Sequence, residues 1–550
     1  MLAFGVFLVV LAVYSLTFSG LPDNPDAEVE FQTTSALART GELALGGTPE
    51  ADAIVAQRFD CMEGVGDREG KFYSWFGVGQ AFVGVPFYFA GDLLERAFPE
   101  VEERHRQTTA HGVGRSEYFQ HLLVGWRNPL FGALTIWVFV FVARRLGASR
   151  TASCVAALSL AFATYLWPQS RSTLSDVQAT FFLFFSFHLI LRFREKYLRM
   201  RTVKKLELVL FGLSLGMAFL TRVLTAPAIA VLVLTFVFVC ARGRIREGNG
   251  AMAFRELVIG LVPAVFCAAL FLWTNFERFG EPLETGYGDA VGPSFFRAYP
   301  VHLGLVAQLA SPGRGLLWLA PGALLGFLGL VRAWGRGERL WPTVFCCLFV
   351  AIAVPPAATL SWGGAWTFGP RYALPLLPLI WVGVAPVWDA ATSAKSRLIP
   401  LGLLAVGVIP NLGAVFVDHM THQELAMAAA RIEWPQIEGV DDPLGAQAEN
   451  ERFERIKWDW RFAAPWAHWR ILRHRTALHD EVFGVRELFF LDSDATVSPT
   501  LERSRGWFHL AWYDLEHRLG GAAWPALLLI GLMGLVGTVE LARSFDATLA

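Results

Sequence analysis

Charged side chains are missing from the places where an ion-driven transporter needs them. The long apolar runs of this chain hold only two carboxylates, Glu207 and Glu540, each at an edge, and no lysine or arginine deep inside. A charge at mid-membrane is costly and normally marks an ion or proton path, so this absence argues against ion-coupled transport. Cysteine is scarce as well, with six in 550 residues; Cys154, Cys240, Cys267, Cys346 and Cys347 lie in or beside apolar runs, and Cys61 is alone in a polar loop. That spacing excludes a disulfide framework and a CxxC metal motif. No excess of one charge sign exists either: 47 basic and 48 acidic side chains leave a net charge of −1, which suggests no nucleic-acid partner. Residues 1–19 lack the basic n-region and small-residue cleavage site of a secretory signal, so they read as a retained first span.

What the chain has in plenty is apolar surface. It is 54% hydrophobic and 17% charged, with a mean hydropathy of +0.42, too oily for an ordinary soluble enzyme. A spanning helix needs roughly 20 apolar residues. Twelve runs qualify: 2–19, 128–143, 151–168, 177–191, 206–221, 225–241, 257–274, 315–331, 342–361, 372–388, 398–417 and 523–541. The expected fold is therefore an all-α polytopic membrane protein with about 12 transmembrane helices. One further run, 75–98, could cross, or could lie on the interface as an amphipathic helix with Asp92, Glu95 and Arg96 turned to water. The positive-inside rule decides. If 75–98 does not cross, the clusters Arg144/Arg145/Arg150, Arg192 through Lys205, Arg242/Arg244/Arg246/Arg255, Arg332/Arg336/Arg339 and Lys395/Arg397 share one side. Both termini are then cytoplasmic, and 20–127 and 418–522 are outside.

On that assignment the unusual polar sequences nearly all fall outside: "DNPDAEVEF" (23–31), "GKFYSWFGVGQ" (70–80), "SRSTLSD" (170–176), "LTRVLT" (220–225), "NFERFGEPLETGYGD" (275–289), "SPGRG" (311–315) and "WGGAWTFGPRY" (362–372). Brought to one rim, they would line a cavity with carboxylates and arginines. Arg171, Arg222 and Arg371, each tight against a span, can snorkel to lipid phosphates or can hold an anionic phosphate ligand by charge-assisted hydrogen bonds. Ser175 and Asp176 read as a helix N-cap or as substrate contacts. "GEPLETGYG" reads as a glycine-rich turn. Lys71 is a solvated loop lysine or a phosphate contact. The tryptophans of 418–522 (Trp434, Trp458, Trp460, Trp466, Trp469, Trp507 and Trp512) read as an interfacial belt or as a sugar-stacking surface.

In this order and sidedness the motifs resemble bacterial members of the GT-C glycosyltransferase superfamily, whose relatives include the protein O-mannosyltransferases and the aminoarabinose transferases of lipid A. The resemblance covers residues 1 to about 420. It implies a sugar donor carried on a polyprenyl phosphate, transfer on the outer face of the membrane, juxtamembrane helices in the first external loop, and a catalytic base among that loop's carboxylates. Two departures stand out: Asp26 and Glu28 are spaced where several relatives have adjacent Asp-Glu, and Trp75, Gly77 and Val78 stand where many have a lysine and two prolines.

Inverting transfer from a lipid phosphate needs a base for the acceptor proton and cations for the departing phosphate, without the second carboxylate of a retaining glycosidase. Asp26 is assigned as base, with Glu28 second and Asp23 and Glu30 as alternates. Lys71, Arg171, Arg222 and Arg371 are assigned to donor phosphate or sugar, with Asp176 beside them and Tyr73 and Tyr372 as hydrogen-bonding neighbours. No metal ligands are assigned: a divalent cation is admitted as a cofactor, but no histidine-rich or DxD run compels one. The expected organisation is a catalytic transmembrane domain 1–417 with its loop 20–127, an external segment 418–522 that could bind the acceptor, and a last span with cytoplasmic tail, 523–550. The expected location is a bacterial cytoplasmic membrane, with lipids, the lipid-linked donor and a lipid, glycan or protein acceptor as partners. The alternatives are a lipid-linked saccharide flippase or small-solute transporter, betrayed by a cavity at the midplane, and an inactive scaffold, betrayed by an Asp26 pointing away from the arginines.

Overall fold

The computed structural model describes residues 1–20, 25–45, 65–68, 71–108, 117–200, 202–246, 248–287, 297–437, 440, 442, 445–477, 483–491, 496–497 and 510–546. Among them, eight helices are long and apolar enough to cross a membrane: Tyr118–Arg145, Asp176–Leu198, Val223–Arg244, Gly250–Phe279, Leu340–Ala357, Arg371–Ala390, Ala394–Phe416 and Trp524–Phe545. The four remaining expected spans are helical but shorter. Leu2–Leu16 and Lys205–Thr221 are single helices, whereas 151–168 is broken between Phe162 and Leu166, and 315–331 is broken before Ala323. Pro321 marks the second break, since a proline donates no backbone hydrogen bond and crowds the preceding turn. The protein is thus an all-α, multi-pass membrane protein, with two small sheets added. Strands β1 (Ala44–Leu45), β2 (Val65–Arg68) and β3 (Lys71–Ser74) pair antiparallel in the order β1-β3-β2, and β4 (Phe483–Gly484) pairs with β5 (Thr496–Val497).

The run 75–98 forms the helix Gly79–Ala97, which is not among the helices apolar enough to cross. Arg96 is exposed, but Asp92 and Glu95 do not simply face water: the buried Gln120 amide donates to both, at 2.8 and 2.5 Å. The expected span 128–143 begins earlier, at Tyr118, and so carries Arg127 inside a helix of spanning length. Arg127 stands one residue before the expected run 128–143 and is buried in protein, where it is satisfied locally. Arg127 donates to the carbonyls of Gln80 (3.2 Å) and Thr173 (3.1 Å), while Asn128 donates to those of Ser172 (2.7 Å) and Leu174 (2.6 Å). A buried polar group held this way avoids most of its desolvation cost.

The first and last helices pack against each other at two glycines. A Cβ on Gly5 would lie 2.8 Å from the Leu541 nitrogen and 2.9 Å from the Gly537 oxygen, so only hydrogen atoms allow the backbones this close. At the other end of the same pair, the Ala511 N–H donates to the Phe18 carbonyl (2.9 Å) and the Trp512 indole to that of Ser15 (2.8 Å). The two helices are therefore antiparallel, and the N-terminus of the first lies at the same end of the bundle as the C-terminus of the last.

Contacts between loops sort by end. Arg145–Glu195 (2.8 Å), Arg194–Glu338 (2.7 Å), Ser149 to Asp389 (2.8 Å) and Arg150 to the Ser544 carbonyl (3.2 Å) tie together the arginine-rich loops beside the two termini. Glu207 belongs to this end and pairs with Arg192 (2.6 Å) and Lys196 (2.5 Å). The polar islands meet one another at the opposite end. There the helices His419–Glu433, Ala446–Trp458 and Ala464–Ala477 build a small apolar core of their own around Leu425, Ile456, Phe462 and Ile471. This unit sits on the loops 311–315 and 359–371 through Gly313 to the Lys457 carbonyl (3.1 Å), Arg314 to Gln423 (2.9 Å) and Trp362 to Glu454 (3.1 Å). Trp458 stacks near Trp362, while Trp460 and Trp466 are exposed; Trp507 lies outside the described residues.

Candidate active site

Five of the expected residues converge. Asp26 opens the helix Pro25–Thr40, and its Oδ2 lies 3.4 Å from Arg371 Nη2. The two differ in access: the Asp26 side chain is 31% exposed and that of Arg371 only 8%. Arg371 Nη2 also lies 3.5 Å from the Tyr372 hydroxyl. The Tyr372 ring receives two guanidinium groups, those of Arg371 and Arg222, each 5.2 Å from its centroid. Arg222 in turn pairs with Asp176 at 2.5 Å. Two groups here keep unused capacity: Arg371 Nε and Asp176 Oδ2 are buried without a hydrogen-bond partner.

Local structure explains the convergence. Gly364 (φ +88°) and Gly369 (φ +75°) turn the loop back so that Gly364 packs on Arg371, where a Cβ would stand 2.8 Å from Arg371 Cγ. Arg222 follows the helix Lys205–Thr221 and leaves it in extended conformation. The last turn of that helix is gripped by Gly77 and Gly79; an added Cβ would lie 2.3 Å from the Leu220 oxygen and 2.6 Å from the Thr221 nitrogen. This close approach accounts for glycine at 77. Ser175, read as a cap, makes no side-chain capping bond, and Asp176 takes the Arg222 pair instead.

Two residues that the sequence did not single out complete this wall. Arg278, at the end of Gly250–Phe279, is buried and donates to the carbonyls of Ser74 (2.6 Å) and Phe76 (2.9 Å), fixing the segment before Gly77. Tyr287, from the "LETGYG" turn, packs on Trp75 at 5.3 Å, near enough to Arg222, Asp26 and Arg371 to feel their charges. Burial pushes its phenol up to about 12, so it is a proton donor at neutral pH.

The neighbouring carboxylates are engaged otherwise. Glu28 lies 3.1 Å from His121 Nε2 and accepts from Gln32 at 2.8 Å. Glu30 is buried, with Arg127 at 4.0 Å, beyond hydrogen-bonding range. Burial therefore outweighs the arginine and pushes the Glu30 carboxyl up to about 8. Asp23 lies outside the described residues. Lys71 and Tyr73 belong to β3, where the exposed Lys71 ammonium lies 3.1 Å from Glu42. Arg171 ends the helix Leu166–Arg171 and lines a separate small cavity with Asp418 and His419.

A second recess starts at Arg222. Asp176, Arg222 and Tyr372 form its polar end, and Leu183, Leu224 and Ile352 are among its apolar lining. The site therefore offers an accessible carboxylate, two guanidinium groups and an apolar lane opening from them. The sequence contains no histidine-rich run, yet the fold also groups His419, His422 and His468, with ligand nitrogens within 4.8 Å of one another.

Fold and site together define a multi-pass membrane protein with an acid–arginine centre at one end of its helix bundle. Residues 114–273, which include Arg171, Asp176 and Arg222, match the family model for dolichyl-phosphate-mannose-protein mannosyltransferase. Over these residues, less than a third of the chain, the match bears out the expected resemblance to GT-C glycosyltransferases, a class of enzymes. Among curated proteins no sequence match is found. Of solved structures, the chain is similar to ArnT from Cupriavidus metallidurans bound to undecaprenyl phosphate (15% identity, 98% of this chain and 78% of that one, TM-score 0.43). It is also similar to the Archaeoglobus fulgidus oligosaccharyltransferase tethered to an acceptor peptide (13% identity, 81% of this chain, TM-score 0.41). The chain spans 58% of the length of that oligosaccharyltransferase.

Proposed function

We propose that this protein is an inverting glycosyltransferase that moves a sugar from a polyprenyl-phosphate donor to a lipid, glycan or protein acceptor. The observation that carries the reading is the run of contacts from Asp26 through Arg371 and Tyr372 to the Arg222–Asp176 pair, in which Tyr372, Arg222 and Asp176 line an apolar recess. Asp26, exposed enough to meet an acceptor, takes the proton from its hydroxyl or amine as the nucleophile attacks the anomeric carbon. Arg371 and Arg222 neutralise the charge that grows on the leaving phosphate, and Tyr372 orients both guanidinium planes. The recess past Leu183, Leu224 and Ile352 takes the first isoprene units. A polyprenyl-phosphate sugar is the donor class named by the family whose model matches. The site then lies on the external face of a bacterial cytoplasmic membrane, with both termini cytoplasmic, because the arginine-rich loops share the termini's end of the bundle.

In membranes supplied with labelled polyprenyl-phosphate sugars, the wild-type chain is expected to consume one of them with inversion at the anomeric carbon. An Arg222→Ala/Arg371→Ala variant is expected to insert normally and consume none. Equal consumption by wild type and variant would count against the assignment. The flippase or transporter reading draws no support from these residues, which gather at one end of the bundle and not at its middle.

A further inference from the structure

His419 and His422 stand three residues apart on the helix Asp418 caps, so they share one face, and His468 reaches them from the helix Ala464–Ala477. His422 and His468 are buried, His419 partly so. Five of their six ring nitrogens have no hydrogen-bond partner: both of His419, both of His468 and Nδ1 of His422. Each neutral imidazole carries one N–H and one lone pair, and leaving such groups unsatisfied in a protein interior costs their full desolvation. The sixth nitrogen resolves the tautomer. His422 Nε2 lies 2.9 Å from the Phe462 carbonyl and must carry the proton to donate to it, which leaves a bare lone pair on Nδ1. Such a carbonyl partner is the usual orienting contact of a metal-bound histidine.

We infer that His419, His422 and His468 form a binding site for a divalent transition metal of the zinc type. Three imidazoles select zinc, cobalt, nickel or copper over magnesium or calcium, which prefer oxygen. Tetrahedral coordination at about 2.0–2.1 Å requires the nitrogens to be ~3.4 Å apart, within reach of modest ring rotation from the observed grouping. Three protein ligands leave the fourth position to water, and the Asp418 carboxylate, which accepts from the Thr421 backbone and hydroxyl at 3.1 Å each, lines the cavity beside His419 together with Arg171. Negative charge there offsets the repulsion between a dication and the guanidinium groups of Arg171 and Arg314.

The location gives the metal a role. Phe368 stacks on His468 at 5.4 Å, its carbonyl accepts from Gln169 at 2.6 Å, and Arg371 follows three residues later. A metal at this point would pin the 418–477 unit to the loop that presents Arg371. The inference rests on residues outside the Asp26–Arg371 group and stands whether or not the protein transfers sugars.

The test uses the full-length protein in detergent, freed of any affinity tag and stripped with chelator, then titrated with Co²⁺. The expected result is one equivalent bound with the intense visible bands of tetrahedral cobalt, displaced by Zn²⁺ and not by Mg²⁺. His422→Gln and His468→Gln are expected to cut the bound cobalt at least about tenfold while eluting as the wild type does. X-ray absorption on the zinc-loaded wild type counts imidazole ligands without any variant, so it decides even if the variants fail to fold. Three imidazoles support the site. Octahedral cobalt, or zinc with one imidazole or none, overturns it, as does unchanged binding in both variants.

Discussion

Asp26 and Arg371 are separated by 345 residues of chain and meet at 3.4 Å, the carboxylate on a loop helix and the guanidinium at the foot of a spanning helix. The contact is loose enough for the carboxylate to exchange the arginine for an acceptor proton. Asp26→Asn preserves shape and removes the base. Expected is a 10²- to 10⁴-fold loss of sugar transfer, in the range typical of general-base removal, with unchanged membrane insertion and thermal midpoint. Near-normal turnover by this variant would eliminate Asp26 as the base.

Arg222 serves two ends, the recess and Asp176. Arg222→Ala leaves the Asp176 carboxylate buried and unpaired, which should lower stability by about 3–5 kcal/mol. Adding Asp176→Asn removes the orphaned charge. The double variant should therefore regain most of its thermal midpoint, read by tryptophan fluorescence in detergent, but not its transfer rate. Recovery of both together would make Arg222 a purely structural residue.

Glu30 gives a pH signature. Its folded carboxyl is raised to about 8 from an ordinary value near 4.5, so it binds its proton more tightly folded than unfolded. The stabilisation is fully present below about pH 4.5 and is lost as pH rises through about 8. Glu30→Gln should flatten this part of the profile of thermal midpoint against pH. A slope between pH 5 and 8 identical in wild type and variant would show that Glu30 is ionised and paired to Arg127.

Gly77 is expected to be intolerant of the smallest change. Its Cβ would fall 2.3 Å from one carbonyl oxygen and 2.5 Å from the next, both backbone atoms that cannot rotate away. Gly77→Ala should push the loop off the last turn of Lys205–Thr221 and move Arg222 with it. The expected readout is a raised KM for the donor together with a lower thermal midpoint, whereas Gly41→Ala, with open space around its Cβ, should leave KM unaltered.

Much of the architecture was legible because the membrane imposes it. Continuous apolar stretches must become helices to satisfy their backbones, so all twelve runs appeared as helical segments. The division of loops between two ends was legible too, since arginine-rich and arginine-poor loops contact only their own kind in the ion pairs described above. Helix ends were harder. The helix Tyr118–Arg145 starts ten residues before the apolar run 128–143, and its Arg127 is satisfied by acceptors 46 and 47 residues away in sequence.

Residue type and sidedness alone determined that carboxylates and arginines would gather on one rim, and they nominated Asp26, Asp176, Arg222, Arg371 and Tyr372. Only motif alignment with the resembling family put Asp26 ahead of Glu28 and Glu30, because the three share one helix and one charge. Tertiary structure separated them through their partners: an arginine at the recess for Asp26, a stacked histidine for Glu28, and burial for Glu30. It also assembled the His419, His422 and His468 group from two helices, and turned Tyr287 toward the arginines. Local sequence determines what a segment can become, because hydrophobicity and backbone satisfaction act over a few turns. Which charged groups face each other across hundreds of residues is decided only by packing, because Coulomb and hydrogen-bond energies depend on distances that the chain order does not contain.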